Sequence, residues 1–345
     1  MGSPVLGYAL SSEEHRPEEL VRQAVRAEQM GFSFALISDH FHPWLDTQGQ
    51  SPFVWSVIGA IAEATQRLEL GTGVTCPTIR MHPALVAQAA ATCAALMPGR
   101  FFLGVGTGEN LNEHVVGAGW PAADVRLEML REAVEIIRRL WQGDEVTHRG
   151  PYYEVDRARL YSLPEKSPPL LMAASHREAA KLAGQCADGL ISTAPKRALV
   201  EQFQDAGGDG ICYGQVTVSW AKDEAAARRS ARHYWPNAVL SGAQTTELPV
   251  PRHFAAAVKD VTEEQVAKQI VCGPDPGPYL EKIRAFVDAG FDHVYLHQVG
   301  KDQEGFIRFA AQELIPQCSA APERGPAPAS GARQAEDAAG GQGVV

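Results

Sequence analysis

Leu68-Glu-Leu-Gly-Thr-Gly-Val-Thr75, Pro83-Ala-Leu-Val-Ala-Gln-Ala-Ala-Ala-Thr-Cys-Ala-Ala-Leu96 and Phe101-Phe-Leu-Gly-Val105 follow one another as an apolar run, a helical pattern closed by Pro98-Gly99, and a second apolar run. A strand buried on both faces reads as a continuous apolar run, and a helix between two such strands is the crossover that parallel pairing requires. The same rhythm extends in both directions. Upstream lie runs at Val5–Leu10 and Phe34–Ser38, with helical spacing over Glu18–Met30 and Val54–Thr65. Downstream, strands are expected at Leu170–Ala174, Gly189–Thr193, Gly210–Trp220 and His293–Gln298. The matching helices are Arg126–Trp141, Arg177–Cys186, Ala198–Asp205, Asp223–Tyr234, Tyr279–Ala289 and Glu304–Leu314. Eight strand–helix units over about 250 residues predict an α/β fold of the (β/α)8 TIM-barrel type. Its insertions are Trp44–Pro52, Gly143–Pro168 (a short hairpin around Gly150-Pro151) and Pro236–Val261. An open doubly wound sheet would use fewer strands and fewer residues.

The 345 residues carry 31 Lys+Arg against 41 Asp+Glu, a formal charge of −10, with 45% apolar and 21% charged residues. This is the composition of a folded globular chain, not of a disordered, collagenous or disulfide-stapled one. The negative field argues against nucleic acid and anionic membranes as partners and leaves a small-molecule substrate. Six scattered cysteines with no C-x-x-C read as reduced thiols of a cytoplasmic protein. The start lacks a basic segment followed by an apolar run, and no apolar stretch nears the roughly 18 residues of a spanning helix, so no signal peptide and no membrane span are expected. From Ser319 to Val345, 16 of 27 residues are Ala, Gly or Pro, which predicts a disordered tail on a single domain covering residues 1–318.

In a barrel of this kind reactive groups sit just after the strands, at the C-terminal mouth. Those exits carry Ser11-Ser12-Glu13, Ser38-Asp39-His40-Phe41-His42-Pro43-Trp44, Gly73-Val74-Thr75-Cys76, Gly106-Thr107-Gly108-Glu109-Asn110, Ser175-His176, Thr193 with Lys196, and His297. Each alone has an ordinary structural reading: Asp39 as a loop cap, Glu109 as a first-turn residue of a helix, Trp44 as packing, Lys196 as a solvated charge. Two acids, an imidazole and an indole converging on one rim point instead to an active site. Gly104-Val-Gly106-Thr-Gly108 lacks the G-x-G-x-x-G spacing of a dinucleotide loop, and no H-E-x-x-H metal motif is present.

Four stretches carry a family resemblance: Ile37-Ser-Asp-His-Phe-His-Pro-Trp44, Leu70-Gly-Thr-Gly-Val-Thr-Cys-Pro-Thr78, Phe102-Leu-Gly-Val-Gly-Thr-Gly-Glu-Asn-Leu-Asn-Glu113 and Arg131-Glu-Ala-Val-Glu-Ile-Ile-Arg-Arg-Leu-Trp141. They resemble the luciferase-like flavin and deazaflavin oxidoreductases, in particular the F420-dependent glucose-6-phosphate dehydrogenase subgroup, from Leu6 to about Pro316. The resemblance implies a bacterial-luciferase-like barrel, commonly a homodimer, holding coenzyme F420 at its mouth over a non-prolyl cis peptide at Gly73-Val74. It implies coenzyme contacts from Asp39, Gly73, Val74, Thr75, Cys76, Gly106, Asn112, Ser175 and His176. It implies His40, Glu109, Trp44 and Glu13 as the catalytic group.

Those residue types suit hydride transfer. An imidazole titrating near neutrality can take a hydroxyl proton, with Glu13 as rival base or as the group that orients His40. A carboxyl raised by enclosure, here Glu109, can give a proton to the coenzyme edge. Trp44 would exclude water and stabilise positive charge at the carbon that gives up hydride. On the substrate side the resemblance matches Thr193 and Lys196. The remaining cationic positions of the sugar-phosphate enzymes fall near Ala256 and on Gln269, which are uncharged. A dianion held by one lysine loses most of its charge-assisted bonds, so a neutral alcohol or sugar-type substrate is expected over glucose 6-phosphate. The alternatives are an FMN-dependent monooxygenase on the same barrel, a hydrolase built on Glu13 or Glu109 with His40, and a cofactor-free binding protein.

Overall fold

The computed structural model describes residues 3–319. Eight parallel strands close a barrel: β1 (Val5–Leu10), β2 (Phe34–Ile37), β3 (Glu69–Thr72), β4 (Phe101–Val105), β5 (Leu170–Ala173), β6 (Gly189–Ser192), β7 (Ile211–Ser219) and β8 (His293–Gln298). Each pairs with its sequence neighbour, β6 pairs with β7, and β8 lies between β7 and β1, so the ring has no free edge. The crossover helices are α1 (Pro17–Gln29), α2 (Val54–Ala64), α3 (Pro83–Leu96), α4 (Ala123–Leu140), α5 (Arg177–Cys186), α6 (Arg197–Asp205), α7 (Glu224–Tyr234), α8 (Pro276–Ala289) and α9 (Gln303–Phe309). The expected barrel is the observed one.

Alternation along each strand fills two cores. Inside the barrel Phe34, Leu36, Phe102, Leu171, Ile191, Tyr213 and Tyr295 form one buried cluster. Large rings fit there because neighbouring strands supply glycine: a Cβ on Gly7 would lie 2.3 Å from the Phe34 ring, and one on Gly71 would lie 1.9 Å from Phe102. The opposite faces, including Ile37, Leu70 and Leu103, pack on apolar helix stripes such as Val86, Ala87, Ala90 and Ala91 of α3. Helix starts are stopped locally: Asp223, Asp275 and Asp302 accept N–H bonds from Ala226, Gly277 and Gly305.

The hairpin expected in the Gly143–Pro168 insertion is present, and other segments hold structure that periodicity does not announce. Gly143–Pro168 contains an antiparallel hairpin, Val146–Arg149 with Glu154–Ala158. The Pro236–Val261 segment contains three short helical turns, and Val271–Cys272 adds a two-residue strand to β7. The last expected helix continues past Leu314: α9 passes through a π-turn at Ala310–Leu314 into Ile315–Ser319. Pro316 has no N–H to donate and its ring would crowd the carbonyl one turn back, which a widened turn relieves. The expected tail lies outside the described residues apart from Ser319, which ends this helix. Among the described residues no helix is long and apolar enough to cross a membrane.

Candidate active site

The turn that leaves β1, Ser11–His15, is buried throughout. Glu13 Oε2 accepts hydrogen bonds from Ser38 Oγ at 2.6 Å and Ser11 Oγ at 3.1 Å, and Oε1 lies 3.3 Å from His40 Nε2. Burial pushes this carboxyl up, but the His40 imidazole, the Ser38 hydroxyl and His297 outweigh it, and Glu13 titrates below the ordinary carboxylate range.

Beyond β2 the two-residue alternation continues for three positions. Ser38 and His40 face the cavity, and Asp39 between them turns away. Asp39 accepts from Thr75 Oγ1 at 2.7 Å and from Arg80 Nη2 at 2.8 Å, and it is 3% exposed. Arg80 is pinned in turn, its backbone N–H donating to Glu113 Oε2 at 2.7 Å. Glu113 is fully buried; burial pushes its carboxyl up to about 7.

The β3 exit carries the expected cis peptide, Gly73–Val74. Gly73 lines the cavity. A Cβ on Gly106 would lie 2.8 Å from Val74 Cγ2, so the glycine at the β4 exit is what lets the two loops approach. Thr75 locks them together, its N–H donating to Gly104 O and its carbonyl accepting from Gly106 N. Cys76 is buried, and burial together with Glu113 and Glu109 raises its thiol far above the usual range, so it is no nucleophile.

Glu109 begins the short helix Asn110–Glu113 and lines the cavity. Asn112 organises the surroundings. Its Oδ1 accepts from the backbone N–H groups of Phe41 (2.9 Å) and His42 (3.2 Å), which fixes the amide orientation. Its Nδ2 then reaches Glu109 Oε2 at 3.2 Å and His40 Nδ1 at 3.1 Å. The same Nδ1 lies 3.2 Å from the His42 carbonyl oxygen. The Trp44 ring stands 5.1 Å from the His40 ring and packs edge-on against Phe254.

These groups share one cavity of about 180 Å³ at the C-terminal mouth. It gathers Glu13, His40, Trp44 and Glu109 with Thr193 and Gly73. The other candidates lie outside its lining. Asp39, Thr75, Cys76, Gly106 and Asn112 form the layer that supports it. His176, at the start of α5, bonds Ala179 N and is exposed with Ser175. Lys196, at the start of α6, and Gln269, beyond the turn Glu263–Ala267, are exposed. Sequence reasoning missed Trp235 and Gln215 on the wall, and Glu14, Arg80 and Glu113 behind it. Glu14 and Glu113 each adjoin a chosen residue, and that adjacency was the available signal.

A family model described as luciferase-like monooxygenase matches residues 4–293. An F420-dependent glucose-6-phosphate dehydrogenase of Intrasporangium calvum is 38% identical over 327 residues, covering 90% of this chain and 98% of that protein. One of Microbacterium testaceum is 36% identical over 323 residues, covering 90% and 96%. The solved structure of an F420-dependent secondary alcohol dehydrogenase in complex with an F420-acetone adduct superposes with a TM-score of 0.85 at 31% identity, over 93% of this chain and 100% of that one. An F420-dependent tetrahydromethanopterin reductase from Methanopyrus kandleri, 22% identical with a TM-score of 0.74 over 92% and 99%, shares the fold. The chain belongs to the luciferase-like monooxygenase family, as the four sequence stretches indicate.

Proposed function

We propose that this family member is an F420-dependent dehydrogenase acting on CH–OH groups, moving a hydride between a carbinol carbon and the deazaflavin at the barrel mouth. The observation that carries this reading is the His40–Glu13 pair, 3.3 Å apart, sharing one cavity with Glu109 and Trp44. The supporting context is likeness, over nearly the whole chain, to enzymes named for that coenzyme.

The residues present fit a flat ring with polar edges. Ala9, Leu36 and Gly73 offer carbon and bare backbone on the cavity wall, with polar groups above them. Gly73 would meet the ring from the β3 side, and Asp39, Thr75, Cys76, Gly106 and Asn112 would act from the layer behind that wall, by fixing the β3 and β4 loops. The backbone N–H groups at Ser175-His176, leading into α5, would take an anionic tail. When bound, the coenzyme supplies the hydride acceptor or donor, and the protein contributes position and proton handling.

His40 Nε2 and Glu13 Oε1 take the hydroxyl proton as a pair. Nδ1 of the same ring stands between a donor, Asn112 Nδ2, and an acceptor, the His42 carbonyl. For Nε2 to take a proton, Nδ1 must already carry one, and that N–H donates to the His42 carbonyl oxygen, 3.2 Å away. Glu109, steadied by Asn112, exchanges a proton at the coenzyme edge. Trp44 keeps water from the reacting carbon.

The substrate reading is a neutral alcohol or sugar-type carbinol. Thr193 is on the wall, but Lys196 is solvated beyond it and Gln269 carries no charge, leaving a phosphate without a cationic cage. The six free cysteines support a cytoplasmic setting, and the reading includes a homodimer, which sedimentation checks. Purified protein titrated separately with F420 and FMN should quench F420 fluorescence alone. With F420, secondary alcohols and unphosphorylated sugars should exceed glucose 6-phosphate in kcat/KM. Binding of FMN only, or a clear preference for the phosphate, refutes the respective part.

A further inference from the structure

Glu13 has a twin that the reaction does not use. Glu14 follows it on the same buried turn, is fully buried, and accepts a hydrogen bond at Oε1 from Gly300 N at 2.9 Å. Its Oε2 has no hydrogen-bond partner among the described residues and lies 3.8 Å from His297 Nε2. His297 stands at the end of β8, on the side of β1 opposite β2, and lines the cavity while only 4% exposed. The Trp235 ring packs edge-on against the imidazole at 4.5 Å, and both ring nitrogens lack hydrogen-bond partners among the described residues. Consecutive acids thus stand behind two histidines on one wall: Glu13 with His40, Glu14 with His297.

A buried imidazole without partners is destabilising until something bonds it. The missing partner must fit three constraints: it enters the cavity, it can both give and accept a hydrogen bond, and it tolerates two carboxyl groups close by. A hydroxyl meets all three. A phosphate or carboxylate would face Glu13 and Glu14 and is disfavoured here.

We propose that His297, oriented by Glu14, binds a second hydroxyl of the substrate, on the carbon next to the carbinol whose proton the His40–Glu13 pair takes. His297 is then a specificity-determining residue that selects vicinal diols over simple alcohols, and Glu14 is its positioning residue. The proposal rests on the F420-dependent reading and names the substrate feature its site selects. A site built to hydrogen-bond a hydroxyl rejects the analogue lacking it far more strongly than an apolar site resolves a methylene.

The test compares 2,3-butanediol with 2-butanol, one carbon skeleton with and without the second hydroxyl, using enzyme loaded with F420. Wild-type enzyme should favour the diol in kcat/KM by at least about tenfold. His297→Phe should erase that ratio by lowering the diol value far more than the 2-butanol value, and His297→Asn, which keeps a donor and an acceptor, should restore part of it. Glu14→Gln should raise KM for the diol with little change in kcat. Thermal shift gives a readout independent of turnover: the diol should stabilise wild-type enzyme more than His297→Phe, and 2-butanol should stabilise both alike. A diol-to-alcohol ratio that is the same in wild type and both His297 variants overturns the proposal. Absence of F420-dependent turnover on either alcohol overturns the functional reading beneath it.

Discussion

Replacing Glu113 by Gln should remove a pH dependence of stability that can be worked out in advance. This carboxyl is fully buried behind the active site, with Oε2 on Arg80 N and Oε1 unbonded 3.7 Å from Arg80 Nε. Burial raises it from an ordinary 4.5 to about 7, against the opposing pull of Arg80. Below 4.5 folded and unfolded chains both hold the proton, and above 7 both have released it. Between those values the folded state binds more protons than the unfolded chain, so stability falls as pH rises. At about 1.36 kcal/mol per pH unit the loss is about 3 kcal/mol across that window. His15 opposes it: burial and Lys301 hold its imidazole down to about 3 from 6.5, so between those values stability rises with pH. The two effects overlap, and only a difference between variants separates them. Glu113→Gln keeps the shape and the acceptor for Arg80 N, leaves His15 untouched and has nothing to titrate. Urea unfolding from about pH 4 to about pH 8 should show wild type losing about 3 kcal/mol relative to the variant, nearly all between pH 4.5 and 7. Parallel stability curves for the two proteins would refute the reasoning.

Removing the imidazole in His40→Ala should lower kcat by about 10²–10⁴-fold while F420 affinity, read by fluorescence quenching, changes little; unchanged turnover would take His40 out of the chemistry. Asn112→Ala leaves the Phe41 and His42 N–H groups without their acceptor and removes one neighbour of His40 Nδ1, so it should cost about 1–3 kcal/mol in urea unfolding and lower kcat as well. Gly71→Ala drives a methyl to within 1.9 Å of the Phe102 ring and should destabilise by about 3 kcal/mol, with Phe102→Leu in the same chain restoring part of the loss; an unaltered urea midpoint would contradict the interior packing.

The barrel was legible because its strands are apolar on both faces, a pattern few other environments tolerate. Strand ends fell within three residues of the expected positions and several matched outright, the largest trim being at the end of β3, where Gly73, Val74 and Thr75 belong to the loop that holds the cis peptide. Rim position identified Glu13, His40, Trp44 and Glu109, since a strand exit fixes where a residue starts and the first side chain beyond it has few directions to take. What stayed hidden is orientation and depth. Asp39 carries the same chemistry as its neighbours, yet period-two alternation sends it to Thr75 and Arg80, away from the cavity. Glu113, four residues beyond Glu109 and fully buried, carries a carboxyl raised by burial that the rim pattern does not single out. The Glu14–His297 pair lies at opposite ends of the chain and meets only because β8 pairs with β1. In a closed barrel that pairing is obligatory, so the last strand's exit always faces the first. A histidine ending strand eight is therefore a neighbour of whatever follows strand one, and closure of the ring, not local pattern, is the argument that brings His297 to the cavity beside Glu14.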